Sequence, residues 1–136
     1  MVHVFLYKKD WKELERLFSN LEATKKDLSL SAKDGLAVDV CLEEVFTNIL
    51  KYSKLTNDDD YAIFVKFERN GQCLSCTVED RGQPFNLLRD FLPEALTLEE
   101  EGKSHMGIKL ISALMDQVDY SYNNHWNQVT LLKLLT

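Results

Sequence analysis

Hydrophobic residues recur along this chain with two different periods, and the switches between them outline its elements. The opening Met1-Val2-His3-Val4-Phe5-Leu6-Tyr7-Lys8-Lys9 is rich in β-formers and reads as a strand. Asp10-Trp11-Lys12-Glu13 then has the form of a capping box, after which Leu14, Leu17, Phe18 and Leu21 return at helical spacing until the pattern fades at Lys25-Lys26-Asp27. A second cap, Ser31-Ala32-Lys33-Asp34, opens the longest helix, running from residue 32 to about 53. Leu36, Val40, Val45, Ile49 and Leu50 mark its broad apolar side.

Thr56-Asn57-Asp58-Asp59-Asp60 is a polar, acidic break that reads as a solvated loop. Residues 61–69 and 72–79 are two β-rich runs joined by Asn70-Gly71, a dipeptide suited to a type I′ turn because both residues tolerate positive φ. From Asp80 to Ser104 periodicity is lost, apart from a short helix around 87–91 stopped by Pro93; such a segment inside a compact domain has the character of a lid. Helical spacing resumes through Ile108, Ile111, Leu114 and Met115, and two strands, 118–122 and 128–134, follow around Asn123-Asn124. This order predicts one α+β domain over residues 1–136, a two-layer sandwich of three helices on one face of a mixed, mostly antiparallel sheet.

Composition narrows the function. At 136 residues, 45% hydrophobic and 28% charged, the chain is of ordinary globular make-up. A net charge of −6 argues against a nucleic-acid or anionic-membrane partner, both of which need a basic face. No stretch has the length of apolar residues that a membrane span needs, and the amino terminus lacks the order of a signal peptide. The three cysteines suit a reducing cytoplasm, since Cys73 and Cys76, three apart on a strand, point to opposite faces.

Two places in the pattern carry chemistry. Glu44 and Asn48 stand four apart on the long helix and interrupt its apolar side between Val40, Val45 and Ile49. An amide oxygen and a carboxylate sharing a helix face suit metal-assisted phosphoryl transfer, the amide holding Mg²⁺ against phosphates and the carboxylate orienting or deprotonating an attacking hydroxyl. At the end of the second hairpin strand, Asp80-Arg81-Gly82-Gln83-Pro84-Phe85 sets an acid before a glycine and a proline. That arrangement serves a plain turn, and it also suits a fixed acceptor for a purine amino group.

In this order, Glu44-Val45-Phe46-Thr47-Asn48, then Asp80 to Phe85, then Met106-Gly107-Ile108-Lys109-Leu110-Ile111 with Leu114-Met115-Asp116-Gln117-Val118, the segments resemble the successive nucleotide boxes of the Bergerat-fold (GHKL) ATPases. The likeness is nearest to the bacterial anti-sigma-factor serine/threonine kinases and spans nearly the whole chain. It implies a histidine-kinase-like ATPase fold binding ATP and Mg²⁺. By this resemblance Glu44 is the catalytic base, Asn48 the Mg²⁺ ligand and Asp80 the acceptor for the adenine amino group. Gly82 lets the loop approach the base, and Gly107 stands at a helix start near the phosphates. Where the family carries paired glycines before the Met-Gly step, this chain has Ser104-His105, and Lys103 and His105 would donate to phosphate instead. Tyr52 stands where related kinases often have histidine.

The resemblance also implies partners: a sigma factor that the protein sequesters, an anti-anti-sigma antagonist whose serine or threonine it phosphorylates, and a second copy of itself in a homodimer. The alternative is a non-catalytic module of the same fold that holds nucleotide weakly or not at all and acts by protein contact.

Overall fold

The computed structural model describes residues 2–52, 61–86 and 106–136. The acidic loop at 56–60, the helix expected at 87–91, the lid, and with it Lys103 and His105, lie outside the described residues. Five strands, β1 (Val2–Lys8), β2 (Tyr61–Asn70), β3 (Cys73–Arg81), β4 (Gln117–Asn123) and β5 (Trp126–Leu134), form one sheet in the order β1-β2-β3-β5-β4. Each neighbouring pair is antiparallel, so the mixed pairing expected from sequence gives way to a wholly antiparallel sheet among the described residues. Helices α1 (Glu13–Asp27), α2 (Ala32–Tyr52) and α3 (Met106–Leu114) cover one of its faces.

Strand alternation decides that face. On β3, Leu74, Cys76, Val78 and Asp80 are buried while the residues between them are half-exposed, and β5 buries Asn127, Val129 and Leu131 in the same rhythm. These side chains meet Leu17 and Leu21 of α1, Val38, Cys41, Leu42, Val45, Phe46 and Ile49 of α2, and Ile111 of α3 in one continuous core. Tyr7 and Phe46, both fully buried, meet edge to face with centroids 5.3 Å apart.

Local expectations fare unevenly. Ser31 caps α2 as predicted, its Oγ accepting from the Asp34 N–H at 3.1 Å. The first capping box does not form: Asp10 accepts from Lys12 N at 2.9 Å in a turn before α1, and Glu13 reaches back to Lys8 N at 3.4 Å. Leu36 is 64% exposed, because the buried face of α2 runs through 34, 38, 41, 45 and 49 and turns residue 36 outward. Phe18 of α1 is exposed for the same geometric reason. In the first hairpin Asn70 pairs with Cys73, leaving Gly71-Gln72 as the loop with positive φ at Gly71 alone, so the predicted type I′ turn is absent there. Two successive positive φ values, 51° and 70°, fall instead on Asn124-His125, the turn between β4 and β5.

Candidate functional site

The site is built where α2 ends. At its start, Asp34 accepts from Thr136 N at 3.0 Å, which ties the first turn to the sheet end where Leu134 pairs with Cys73. At its finish, Tyr52 stacks on Phe85, with ring centroids 6.0 Å apart and 18° between planes, just past the point where β3 ends at Arg81. Helix α2 therefore runs along β3 in the same sense, and its last turns arrive at the end that carries Asp80. Glu44, Asn48 and Tyr52 succeed one another at four-residue steps, so they form one stripe down α2.

Each member of the stripe meets a different element. Asn48 is 2% exposed and donates from Nδ2 to the Glu44 backbone carbonyl at 2.7 Å, so the donor end of its carboxamide is spent on the helix. Glu44 is half-buried against the first turn of α3. A Cβ placed on Gly107 would stand 1.9 Å from Glu44 Oε1, so no residue larger than glycine fits there with Glu44 in this position. Burial pushes the Glu44 carboxyl above its ordinary value, while Lys51 and the Asn48 side chain pull the other way. A carboxyl so perturbed is suited to exchanging protons, as a general base must.

Asp80 is buried on the helix-covered face, and its partner went unnoticed in the sequence. Lys9 Nζ lies 3.2 Å from Asp80 Oδ2 and donates to the Arg81 carbonyl at 2.9 Å, with 2% of the lysine side chain exposed. Burial lowers the Lys9 ammonium from its usual range, and the Asp80 charge opposes that shift. The sequence signal was weak: Lys9 lies just past the end of β1 and beyond the register shift between Tyr7 and Lys8, where strand alternation does not fix the direction of a side chain.

The backbone after Asp80 is held from β4 and β5. Gly82 N donates to the His125 carbonyl at 2.9 Å, and the Tyr122 hydroxyl donates to the Gly82 carbonyl at 2.9 Å. Asn127, 2% exposed, uses both ends of its carboxamide: Oδ1 accepts from Phe85 N at 2.8 Å and from the Tyr120 hydroxyl, and Nδ2 donates to the Gln83 carbonyl at 2.9 Å. Asn127 sits on the buried parity of β5 beside Val129 and Leu131, where an amide needs partners, and that parity was its sequence signal.

The family's sequence model decides what this arrangement belongs to: that of the histidine kinase-like ATPase domain matches residues 9–133. The chain belongs to that family. As a histidine kinase-like ATPase domain it has the fold of several solved structures. One, of the RsbU and RsbW domains of Rv1364c from Mycobacterium tuberculosis, is 15% identical with a TM-score of 0.74; the match covers 99% of this chain and 32% of that one. The chain thus spans about a third of that relative's length. A chain of the SiaB-SiaC complex from Pseudomonas aeruginosa is 12% identical over 98% of this chain and 89% of its own, with a TM-score of 0.65. The Acinetobacter baumannii histidine kinase AdeS is 13% identical over 100% of this chain and 69% of its own, with a TM-score of 0.52. No curated protein sequence matches the chain.

Membership in an ATPase family implies a nucleotide site, and the residues expected to form it fall into two described groups. Glu44 and Asn48 come together with Gly107 at the α2–α3 contact, and Asp80 stands with Lys9 before the braced Gly82 loop. Among the described residues no three metal-ligating side chains cluster, and no helix is long and apolar enough to cross a membrane.

Proposed function

We propose that this domain binds Mg-ATP and transfers the γ-phosphoryl group to a serine or threonine of a small antagonist protein, acting as an anti-sigma regulatory kinase. The observation that carries the reading is the Glu44–Asn48 pair: a carboxyl raised by burial, one helical turn from a buried carboxamide whose nitrogen is already engaged. The amide oxygen is the end of Asn48 with the chemistry to ligate Mg²⁺, and a single protein oxygen suffices when phosphates and water complete the octahedron. Bound there, the metal would offset charge on the phosphates. Glu44 would take the proton of the acceptor hydroxyl as its oxygen bonds to the γ-phosphorus and the bond to the β-phosphate breaks, releasing ADP. Asp80 would accept from the adenine amino group and Gly82 would allow the loop close to the base. Gly107, Lys103 and His105 would face the phosphates.

The same reading gives the protein a sigma factor to sequester, an anti-anti-sigma antagonist as substrate, and a homodimeric state. A phosphate placed on the antagonist would weaken its contact with a protein of net charge −6. A relative of this fold solved as the two-protein SiaB-SiaC complex supports a protein partner. The second reading, a module acting by protein contact with weak nucleotide binding, is favoured by the Lys9–Asp80 ion pair, which occupies the carboxylate assigned to adenine.

Thermal melting with millimolar Mg-ATP tests nucleotide binding, because a ligand of the folded state raises the midpoint. Labelled ATP with a candidate antagonist then separates kinase from module. Asp80→Asn is expected to weaken binding, and Glu44→Ala to spare binding and abolish transfer. Equal loss of binding in both variants would refute this division of roles.

A further inference from the structure

We infer that the face of the sheet opposite the helices is the surface on which a second copy of this chain docks, about a two-fold axis that sets Lys66 of each copy against Glu68 of the other. The inference rests on the homodimeric state proposed above and goes beyond it by giving that state a surface and a geometry. The nucleotide site takes no part in it.

Side chains alternate along the strands, so those that point away from the helices form rows across the sheet. Val2, Glu68, Ser75 and Leu132 make one row, and Val4, Lys66, Thr77 and Thr130 the next. Leu6, Phe64, Glu79 and Gln128 make a third. Among the described residues no helix covers these rows, and Val2, Val4, Leu6 and Phe64 are left between 37% and 50% exposed. Sheets that stay monomeric commonly carry charge on an edge strand, yet β1 shows this side three aliphatic residues in succession. Its backbone edge is meanwhile closed: the Leu6 carbonyl accepts from Arg16 Nη2 at 2.5 Å, and Lys8 N donates to Glu13 at 3.4 Å. Association is thereby directed to the face of the sheet and away from its edge.

The charges on this face suit a second copy. Neither Lys66 nor Glu68 has an ion-pair partner among the described residues. They stand in adjacent rows of one strand, so a two-fold axis lying across the strands between those rows sets Lys66 against the second copy's Glu68 and repeats the contact in reverse. The same operation sets Val4 against Val2 and Thr77 against Ser75. Without such matching, two chains of net charge −6 would repel. A recess of about 220 Å³ among Val4, Phe64, Lys66, Thr77, Glu79 and Gln128 leaves room for a side chain of the facing sheet, as interdigitating sheets require. Five strands about 4.8 Å apart and at least seven residues long present roughly 550 Å² in projection before side-chain relief is added, against about 800 Å² of accessible surface per partner in a stable pair. Cys73, one row further toward the hairpin, stands at the rim.

Sedimentation velocity of the full chain over a concentration series tests the surface. The wild type is expected to sediment as two chains. Lys66→Glu and Glu68→Lys each set like charges against one another twice, and each should weaken self-association by about tenfold or more. An equimolar mixture of the two variants brings back both opposite-charge contacts and should recover association to within about threefold of the wild type. Val4→Asp should also weaken the dimer, with no rescue by either charge variant. Leu36→Lys, on α2 and away from this face, should leave it unchanged. Every variant should melt cooperatively, since none of these side chains is fully buried. A dimer that survives Lys66→Glu, Glu68→Lys and Val4→Asp overturns this surface and leaves the homodimeric reading in place. Weakening without rescue in the mixture overturns the pairing of Lys66 with Glu68. A wild type that stays monomeric throughout the series removes the surface and the homodimer together.

Discussion

Glu44 and Gly107 occupy one another's space: the carboxylate lies where a side chain at Gly107 would be, with Oε1, Cδ and Cγ at 1.9, 2.2 and 2.6 Å from an ideal Cβ. The contact joins two helices that are far apart in sequence. It also brings an acid to the first turn of α3, where the helix dipole favours negative charge.

Because the obstructing atoms are the far end of a flexible side chain, Gly107→Ala should displace Glu44 rather than unfold the protein. Alanine in a helix is better than glycine by up to about 1 kcal/mol. In the wild type that gain should be cancelled by expelling the carboxylate, leaving stability unchanged or slightly lower. In a Glu44→Ala background the obstruction is gone, and Gly107→Ala should stabilise by about 0.5–1 kcal/mol. Urea midpoints of the four proteins measure this coupling, and equal effects of Gly107→Ala in both backgrounds would contradict it.

Much of this fold can be read from periodicity. Helical spacing at Leu14, Leu17 and Leu21 and at Val45 and Ile49 marks the faces that pack, and alternation marks the strands, because both patterns follow from the direction of Cα–Cβ bonds. Leu36 and Phe18 are legible only as apolar, not as inward, since a few degrees of helix rotation decide which edge of an apolar stripe meets the sheet. Glu44, Asn48 and Asp80 stand out as polar residues on buried parities. Asn127 obeys the same rule, whereas Lys9 lies just past the end of β1; the partners of both come from strands and loops remote in sequence, and no local pattern records those pairings.

Asn127 replaces missing backbone partners for a three-residue stretch, so its loss should be felt in the loop first. Asn127→Ala removes acceptors and donors for Phe85 N, the Tyr120 hydroxyl and the Gln83 carbonyl, and should cost about 2 kcal/mol. Amide hydrogen exchange at Phe85 should accelerate more than exchange in the centre of β3, because local opening needs only the loop to detach. Uniform acceleration across both would show the residue to be merely part of the global core.

The three cysteines should separate sharply in reactivity. Burial pushes the Cys41 thiol up to about 11 and raises Cys76 further, while Cys73 is half-exposed on β3. Thiolate is the reactive form, so near pH 8 a disulfide reagent should titrate one thiol, Cys73, in the folded protein. All three should titrate in denaturant. Cys73→Ser should abolish the fast phase, and a fast phase that persists would place Cys41 or Cys76 within reach of solvent.

Asp34 gives the protein a pH-dependent clamp between the start of α2 and Thr136, just past the end of β5. Burial alone pushes its carboxyl up, but the Thr136 backbone N–H, the Ser31 and Thr136 side chains and the Lys133 ammonium together outweigh that and leave it below the ordinary aspartate value. A carboxyl depressed on folding contributes stability that is complete above its unfolded value, about pH 4, and is lost as pH falls through the folded value. Asn at this position mimics the protonated acid, still able to accept from Thr136 N without the charge. Asp34→Asn should therefore be less stable than the wild type by about 1 kcal/mol at neutral pH. The two urea midpoints should converge as pH falls through the folded value of Asp34, because the wild type then loses what the variant already lacks. A gap that stays constant between neutral and acid pH would mean that the charge on Asp34 adds nothing to the tie with Thr136.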